Sequence, residues 1–104
     1  MKTLEVKVAR VYLTESKSHL ETLMKRLHDW EKLRGVTVFR GISGFGASGK
    51  VHTTTMVELS TDLPVVVEFY DEPDKVDEIL EHLKNIVDPD HMVSWMATVG
   101  VKDE

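Results

Sequence analysis

Two stretches with helical apolar periodicity divide the β-prone segments of the chain, and this order constrains the fold more than any other sequence feature. The first helix is predicted to begin at Ser18, which stands three residues before Glu21 in the spacing of a capping box, and to end at Gly35. The second begins at Glu72–Pro73, because proline is tolerated at the first helical position, and is stopped by Asp88–Asp90. Their apolar stripes comprise Leu20, Leu23, Met24, Leu27, Trp30 and Leu33 in the first helix and Val76, Ile79, Leu80, Leu83 and Ile86 in the second.

The β-prone segments lie before, between and after these helices. Glu5–Leu13 alternates apolar and polar residues with a shift of phase at Ala9, and Val65–Tyr70 is apolar enough to predict a strand buried on both faces. A turn at Ser60–Leu63 separates this strand from the segment before it. The remaining predicted strands are Val36–Arg40, Thr54–Leu59 and Met92–Val101.

The element order predicts an α+β fold of the ferredoxin-like type, β-α-β-β-α-β, in which an antiparallel sheet carries both helices on one face. Two helices cover one face only. Tyr12, Phe39, Phe69, Trp95 and the triple valine Val65–Val67 nevertheless supply more apolar surface than one layer consumes. The open face is therefore predicted to pack on a second copy of the chain.

Length and composition narrow the classes of function. The 104 residues predict one domain, 1–104, and a net charge of -5 argues against nucleic-acid binding. The chain has no cysteine, which excludes disulfides and thiolate chemistry. The longest aliphatic run is Val65–Val67, so the sequence predicts a cytoplasmic protein that is not inserted into a membrane.

The segment Gly41–Thr53 holds four of the six glycines and resembles two nucleotide motifs without matching either. Gly44, Gly46 and Gly49 spell G-x-G-x-x-G, but the Val- and Thr-rich stretch that follows does not predict the helix this motif requires. The same stretch fits a P-loop up to Lys50, but Val51 stands where a hydroxyl must bind Mg²⁺.

Two interpretations of the segment remain open. The glycines serve only as a flexible connection, or they free backbone amides that bind an anion together with cationic and hydroxyl side chains. A loop of about twelve residues in a compact domain favours the second. Glu68, in an otherwise apolar strand, either pairs with Arg or Lys at an edge or interface or lies in the ligand cleft. The candidate ligand-binding residues are Arg40, Gly41, Gly44, Phe45, Gly46, Ser48, Gly49, Lys50, His52 and Glu68.

Three stretches carry a resemblance to a known family. Arg10–Glu15, Arg40–Gly46 with His52–Thr53, and Asp62–Glu68 resemble the family called domain of unknown function 190, which is PII-like. Gly44–Gly46 followed by His52–Thr53 is similar to the residues that bracket the start of the T-loop in nitrogen-regulatory PII proteins.

The resemblance implies a regulatory homotrimer whose sheets line a central barrel. It implies adenine nucleotides in clefts between subunits and a loop that reports occupancy to a transporter, channel or enzyme. PII proteins place a glycine-rich phosphate loop near residues 85–92, where this chain has no glycine but has Asp88 and Asp90. We therefore expect a mono- or diphosphate or a cyclic nucleotide rather than ATP.

The alternative functions are a metal-binding trimer of the copper-tolerance type, which shares this fold, and an enzyme that uses His52 or His91. The five histidines contain no H-x-x-x-H pair. No Ser-His-Asp order and no metal-ligand spacing stands out either. We therefore predict a regulator that is not an enzyme, with no catalytic residues, no metal ligands and no cofactor besides the regulatory nucleotide.

Overall fold

The computed structural model describes residues 1–14, 19–45, 51–53 and 63–102, and the predicted α+β fold is confirmed. Four strands form one antiparallel sheet in the order β2-β5-β1-β6, and two short strands form a separate ribbon, β3-β4. The strands and helices of the described residues are β1 (Lys2–Thr14), α1 (His19–Lys25), β2 (Gly35–Arg40), β3 (Ser43–Phe45), β4 (Val51–Thr53), β5 (Pro64–Asp71), α2 (Pro73–Leu83) and β6 (Met92–Val101). The predicted strand Thr54–Leu59 lies outside the described residues, as do Ser18 and the turn before Leu63.

The core lies between one face of the sheet and the two helices. Alternate residues of β1 and β5 point to this face and are buried by the apolar stripes of the helices. Phe69 is the largest of the fully buried side chains. The core cluster comprises Ala9, Val11, Leu23, Leu27, Val65, Val67, Phe69, Val76, Ile79, Leu83 and Val87.

Strand β5 corrects one prediction. Its burial alternates strictly, so it is buried on the helix side and only half-buried on the other. The prediction of burial on both faces was wrong because the valine run hides this alternation: Val65 and Val67 enter the core, whereas Val66 faces away from it.

Strand β1 shows the predicted change of phase. Val6 is buried outside the core cluster, whereas from Ala9 onward the buried residues belong to it. The pairing of β1 with β6 continues without interruption from Lys2 to Val11, so the change reflects burial on opposite faces of the sheet and not a bulge.

The first helical segment, α1 with the π-helical stretch that follows it, ends at Glu31, four residues before Gly35. After α1 the chain continues as a π-helical stretch, Arg26–Glu31, and Lys32 ends it in the left-handed conformation with φ 50°. The Nε of Arg26 donates to Glu31 at 3.0 Å, across the five-residue spacing of a π-helix. Gly35, predicted as the helix stop, is instead the first residue of β2.

Helix α2 begins where predicted, with Pro73 in its first turn, and ends at Leu83. The carbonyl of Leu83 then accepts hydrogen bonds from the amides of Ile86 and Val87, which closes the C-terminal turn. Ile86 is still packed against the core. A 3₁₀ turn, Pro89–His91, leads into β6.

Asp71, at the end of β5, joins the start of β2 to the start of α2. Asp71 is 6% exposed, and its carboxylate accepts hydrogen bonds from the backbone N–H groups of Arg34 at 3.0 Å and Glu72 at 2.8 Å, with the Lys75 ammonium at 3.2 Å. Burial acts to raise the pKa of this carboxyl, but the three donors together outweigh it, so the pKa lies below its ordinary value.

We expect Asp71→Asn to lower the free energy of unfolding at pH 7 by about 1–3 kcal/mol, because a buried charged acceptor is lost. Because the folded pKa is depressed, this stabilisation is fully present above the unfolded pKa of about 3.9 and is lost as the pH falls through the folded pKa. Urea unfolding should therefore show a gap between wild type and variant that narrows below about pH 4. Asp90→Asn, on a side chain 82% exposed, is the control. A gap independent of pH would contradict this role of the Asp71 carboxylate.

Candidate ligand-binding site

The predicted glycine loop begins and ends as paired strands. After β2 the chain passes through Gly41 and Ile42 into β3, which pairs with β4 so that Gly44 lies opposite His52. We call residues 41–53 the glycine arm. The single irregular loop predicted here is thus corrected to a ribbon, since β-branched residues of β4 suit a strand.

Pro64 fixes the base of the glycine arm and explains two of its glycines. The amide of Gly41 donates to the carbonyl of Pro64 at 2.7 Å. A Cβ at Gly41 would lie 2.7 Å from the Pro64 ring, and one at Gly44 would lie 3.3 Å from it. Glycine is needed at position 41 because the proline ring packs directly against the backbone, and at position 44 a side chain would crowd the same ring.

The structure brings several predicted residues together in the glycine arm. Arg40 ends β2 directly before the arm, and Phe45 is 75% exposed at the end of β3. Gly44 and the backbone of His52 belong to the ribbon itself, and Gly41 lies just before it, where its amide donates to Pro64. The other predicted members, Gly46, Ser48, Gly49 and Lys50, lie outside the described residues.

Glu68 lies apart from this group. In the register of β2 and β5 it stands opposite Thr37, whereas Arg40 stands opposite Val65, three residues earlier in β5. Because strand side chains alternate between faces, the backbone register assigns Glu68 and Arg40 to opposite faces of the sheet. Glu68 pairs instead with Arg10 on β1, the Arg or Lys partner expected under the structural alternative.

This pair lies at the centre of what we call the open-face cluster: Arg10, Glu68, Phe39 and Trp95. The Nε of Arg10 donates to Oε1 of Glu68 at 2.7 Å. The guanidinium carbon lies 5.5 Å from the centre of the Trp95 ring and 6.0 Å from that of Phe39, within cation–π distance. The hydrogen bond to Glu68, followed by that of Tyr12, raises the pKa of Arg10.

Arg10 lies in one of the stretches that carry the family resemblance but is not among the predicted ligand-binding residues. The sequence signal for a pair is that each strand carries a charged residue between apolar neighbours: the cation Arg10 in β1 and the anion Glu68 in β5. Only the sheet register shows that the two residues are direct partners.

The open face carries exposed apolar side chains around this cluster. Register and alternation place six of the large ones on this face, each at least 37% exposed: Leu4, Tyr12, Phe39, Val93, Trp95 and Val101. A face of this composition, spread over strands β1, β2 and β6, is typical of a surface that packs on protein.

The remaining candidate features of the described residues contain none of the predicted ligand residues. Two surface depressions, of about 370 and 400 Å³, lie along the first helix and are lined mainly by its side chains.

Among the described side chains no group of three His, Asp or Glu is placed to hold a metal ion. The Nδ1 of His82 instead donates to the Glu31 carboxylate at 3.0 Å, and the Nε2 of His91 lies 4.0 Å from the Asp90 carboxylate. Within the same residues, no helix is long and apolar enough to cross a membrane.

The fold, with a glycine arm extending from an edge of its sheet, is that of the PII-like proteins. The chain superposes on CPII, a nitrogen regulatory PII-like protein from Thiomonas intermedia K12, with a TM-score of 0.66 over 96% of this chain and 91% of that chain, at 18% identity. That structure is bound to ADP, AMP and bicarbonate. CutA1 from Oryza sativa superposes with a TM-score of 0.63 over 97% of this chain and 85% of that chain, at 17% identity.

The chain belongs to the DUF190 family, described as "Uncharacterized ACR, COG1993", whose model matches residues 1–99. A UPF0166 protein of Aquifex aeolicus is 33% identical over 89 residues, which cover 81% of this chain and 84% of that protein. A UPF0166 protein of Methanocaldococcus jannaschii is 28% identical over 92 residues, covering 81% of each. The predicted family and PII-like fold are thereby confirmed.

The packing of Pro64 against the glycine arm gives a matched pair of variants. We expect Gly41→Ala to destabilise the protein by about 1–3 kcal/mol, because the new methyl overlaps a rigid ring. Gly35→Ala meets only Tyr70 at 4.0 Å, and it should be neutral or stabilising by up to about 1 kcal/mol. Urea unfolding of the two variants measures the difference. Equal effects would show that Pro64 does not hold the base of the arm.

Proposed function

We propose that the protein is a PII-like regulator that binds an adenine nucleotide in clefts between copies of itself, at the glycine arm. The single observation that carries this proposal is the base of the arm: Gly41 and Gly44 pack against Pro64 where the arm leaves the sheet, directly after the cationic Arg40. The bound state is expected to be passed to a transporter, channel or enzyme.

The chemistry of the arm suits a phosphorylated ligand. Glycines allow a ligand to approach the backbone closely, and amides in irregular or turn conformations form concave anion sites. Arg40 and Lys50 would add charge-assisted contacts to phosphate oxygens, and Ser48 and His52 would add further donors. The exposed Phe45 ring offers an apolar surface beside them.

An assembly of copies is the second part of the proposal. The open face combines exposed aromatic and aliphatic side chains with an ion pair that is already formed, so a second copy can cover it without leaving a lone charge buried. A homotrimer is the assembly that the family resemblance implies, and it supplies clefts between subunits for the ligand.

The acidic residues near the arm bear on how many phosphates the proposed ligand carries. The turn that precedes β6 carries the exposed Asp88 and Asp90, and β6 begins opposite Val11, at the end of β1 nearest the arm. Acidic side chains at this end disfavour a triphosphate more than a mono- or diphosphate. The ADP and AMP held by CPII support the same choice. Regulation of this kind requires no catalytic residue.

Thermal-shift measurements on the native protein test the ligand class. AMP, ADP, ATP and cyclic AMP are compared with copper and zinc at equal concentrations. We expect ADP or AMP to raise Tm by several degrees, since a ligand bound only by the folded state stabilises it by RT ln(1 + [L]/Kd). If only a metal ion raises Tm, the proposal fails and the metal-binding function takes its place.

Lys50→Ala tests the place of binding. We expect it to weaken binding of the nucleotide selected by the thermal shift by about 1–2 kcal/mol, roughly 5- to 30-fold in Kd, through loss of one charge-assisted contact. Lys84→Ala is the control, because Lys84 pairs with Glu81 at the far end of α2. Isothermal titration calorimetry measures both. Equal affinities in the two variants would show that the arm does not hold the phosphate.

A further inference from the structure

A depression of about 400 Å³ lies between the first helical segment and the start of β2, and its lining differs from that of the other surface depression. Its volume is at the lower end of the range for small-molecule sites. None of the described residues that line it is acidic. The lining consists of four apolar and two basic residues: Met24, Leu27, Leu33 and Val36, with His28 and Lys32.

The apolar part of this lining is continuous with the core. Leu27 is fully buried, and Met24, Leu33 and Val36 are half-buried and pack against the core cluster. The two basic residues are exposed. The depression therefore has an apolar floor and a basic rim. This is the usual composition of a small-molecule site, in which apolar surface surrounds a few polar groups that fix the orientation of the ligand.

Lys32 occupies an unusual backbone position for a lysine. Among the described residues it is the one non-glycine residue with a positive φ, 50°, where glycine is the least strained choice. The turn is held through its backbone, because the carbonyl of Lys32 accepts a hydrogen bond from the Lys75 ammonium at 2.9 Å. Within the described part of the chain, no carboxylate pairs with the ammonium of Lys32. The fold thus uses the carbonyl of this residue, and the strained position of a side chain with its own charge points to a function of that charge.

The other depression along the first helical segment lacks this combination. Its lining places the carboxylate of Glu21 beside Lys25 and Arg26. The Nε of Arg26 already donates to Glu31 at 3.0 Å. Ile86 is the one aliphatic residue of this lining. An anion would meet an acidic side chain there and little apolar surface.

The depression with Lys32 lies apart from both surfaces of the proposed function. Val36 stands opposite the core residue Phe69, so it lies on the helix side of the sheet, whereas the open face is the opposite one. The glycine arm begins beyond Arg40, four residues or about 13 Å further along β2. Covering the open face with a second copy therefore does not cover this depression.

We propose that the depression binds a small carboxylic acid with an apolar body, whose carboxylate pairs with the Lys32 ammonium while the apolar body contacts Met24, Leu33 and Val36. Charge complementarity selects the carboxylate, because the rim is basic and no acidic residue lines the depression. The Nδ1 of His28 already donates to the Asp29 carboxylate at 2.9 Å, which makes Lys32 the main anchor. This second ligand site goes beyond the proposed nucleotide function and does not depend on it.

NMR of the native protein with ¹³C-labelled methionine methyl groups tests the site, because Met24 lines it and reports contact directly. The Met24 resonance is assigned with Met24→Leu. Octanoate is the probe, octylammonium is the matched ligand of opposite charge, and acetate is the carboxylate without an apolar body. We expect octanoate to shift the Met24 resonance saturably, and the other two ligands to bind about tenfold more weakly or not at all.

Lys32→Gly removes the cation and leaves the turn intact, because glycine adopts a positive φ without strain. We expect this variant to bind octanoate about fivefold more weakly or worse, with Tm unchanged or raised. Lys32→Arg keeps the charge and should keep the affinity within about twofold. Lys25→Ala is the matched control, because Lys25 is an exposed lysine of the same helical segment that lines the other depression. It should bind octanoate as the native protein does.

Equal binding of octanoate and octylammonium, or equal octanoate affinity of the native protein and Lys32→Gly, would overturn the pairing of a carboxylate with Lys32. An unchanged Met24 resonance with all three ligands would overturn the site as a whole. A lower mass of Lys32→Gly in sedimentation would assign the depression to a contact between copies and would overturn the inference as well. None of these outcomes depends on nucleotide binding, so failure of this inference leaves the proposed function standing.

Discussion

Coverage of the sheet on one side only is the constraint on which the rest of the structure depends. Val65, Val67 and Phe69 of β5 enter a core closed by both helices, and each fully buried side chain of this kind contributes about 1.5–3 kcal/mol of transfer free energy. The same strand turns Val66 and Glu68 toward the opposite face, which neither of the two described helices covers. Neither helix covers that face, and within residues 1–14, 19–45, 51–53 and 63–102 no other element packs on it, which leaves it open to a second molecule.

The open face is organised around an ion pair. Arg10 and Glu68 face each other across two adjacent strands, and the aromatic rings of Phe39 and Trp95 flank the guanidinium. The side chains of the pair remain 39% and 26% exposed in the single chain. In an interface such a pair contributes more to specificity than to affinity, because both charges lose water together but neither is left without its partner.

Much of the fold could be predicted from the sequence, because helical periodicity and proline are local signals. The start of α2 at Pro73 needed nothing beyond the residues around it. The end of the first helix did not follow, because a π-helical stretch and the left-handed Lys32 replaced the glycine stop that the sequence offered. The two faces of β5 could not be separated either, since three consecutive valines hide an alternation that only the packing of helices on one side reveals.

The candidate site was predictable in composition but not in arrangement. Glycine content located the arm, whereas the contact of Gly41 with Pro64 joins residues more than twenty positions apart and leaves no local signal. The same is true of Arg10 and Glu68, whose partnership depends on the register of β1 and β5.

The proposed assembly and its ligand clefts require that copies of the chain cover the open face. Light scattering on the native protein at micromolar concentration tests it directly, with Trp95→Lys as the companion variant, since a second cation beside Arg10 would be buried without a partner. We expect three times the chain mass of 11.8 kDa for the native protein and a loss of that mass in the variant. A native mass of one chain would contradict coverage of the open face by further copies.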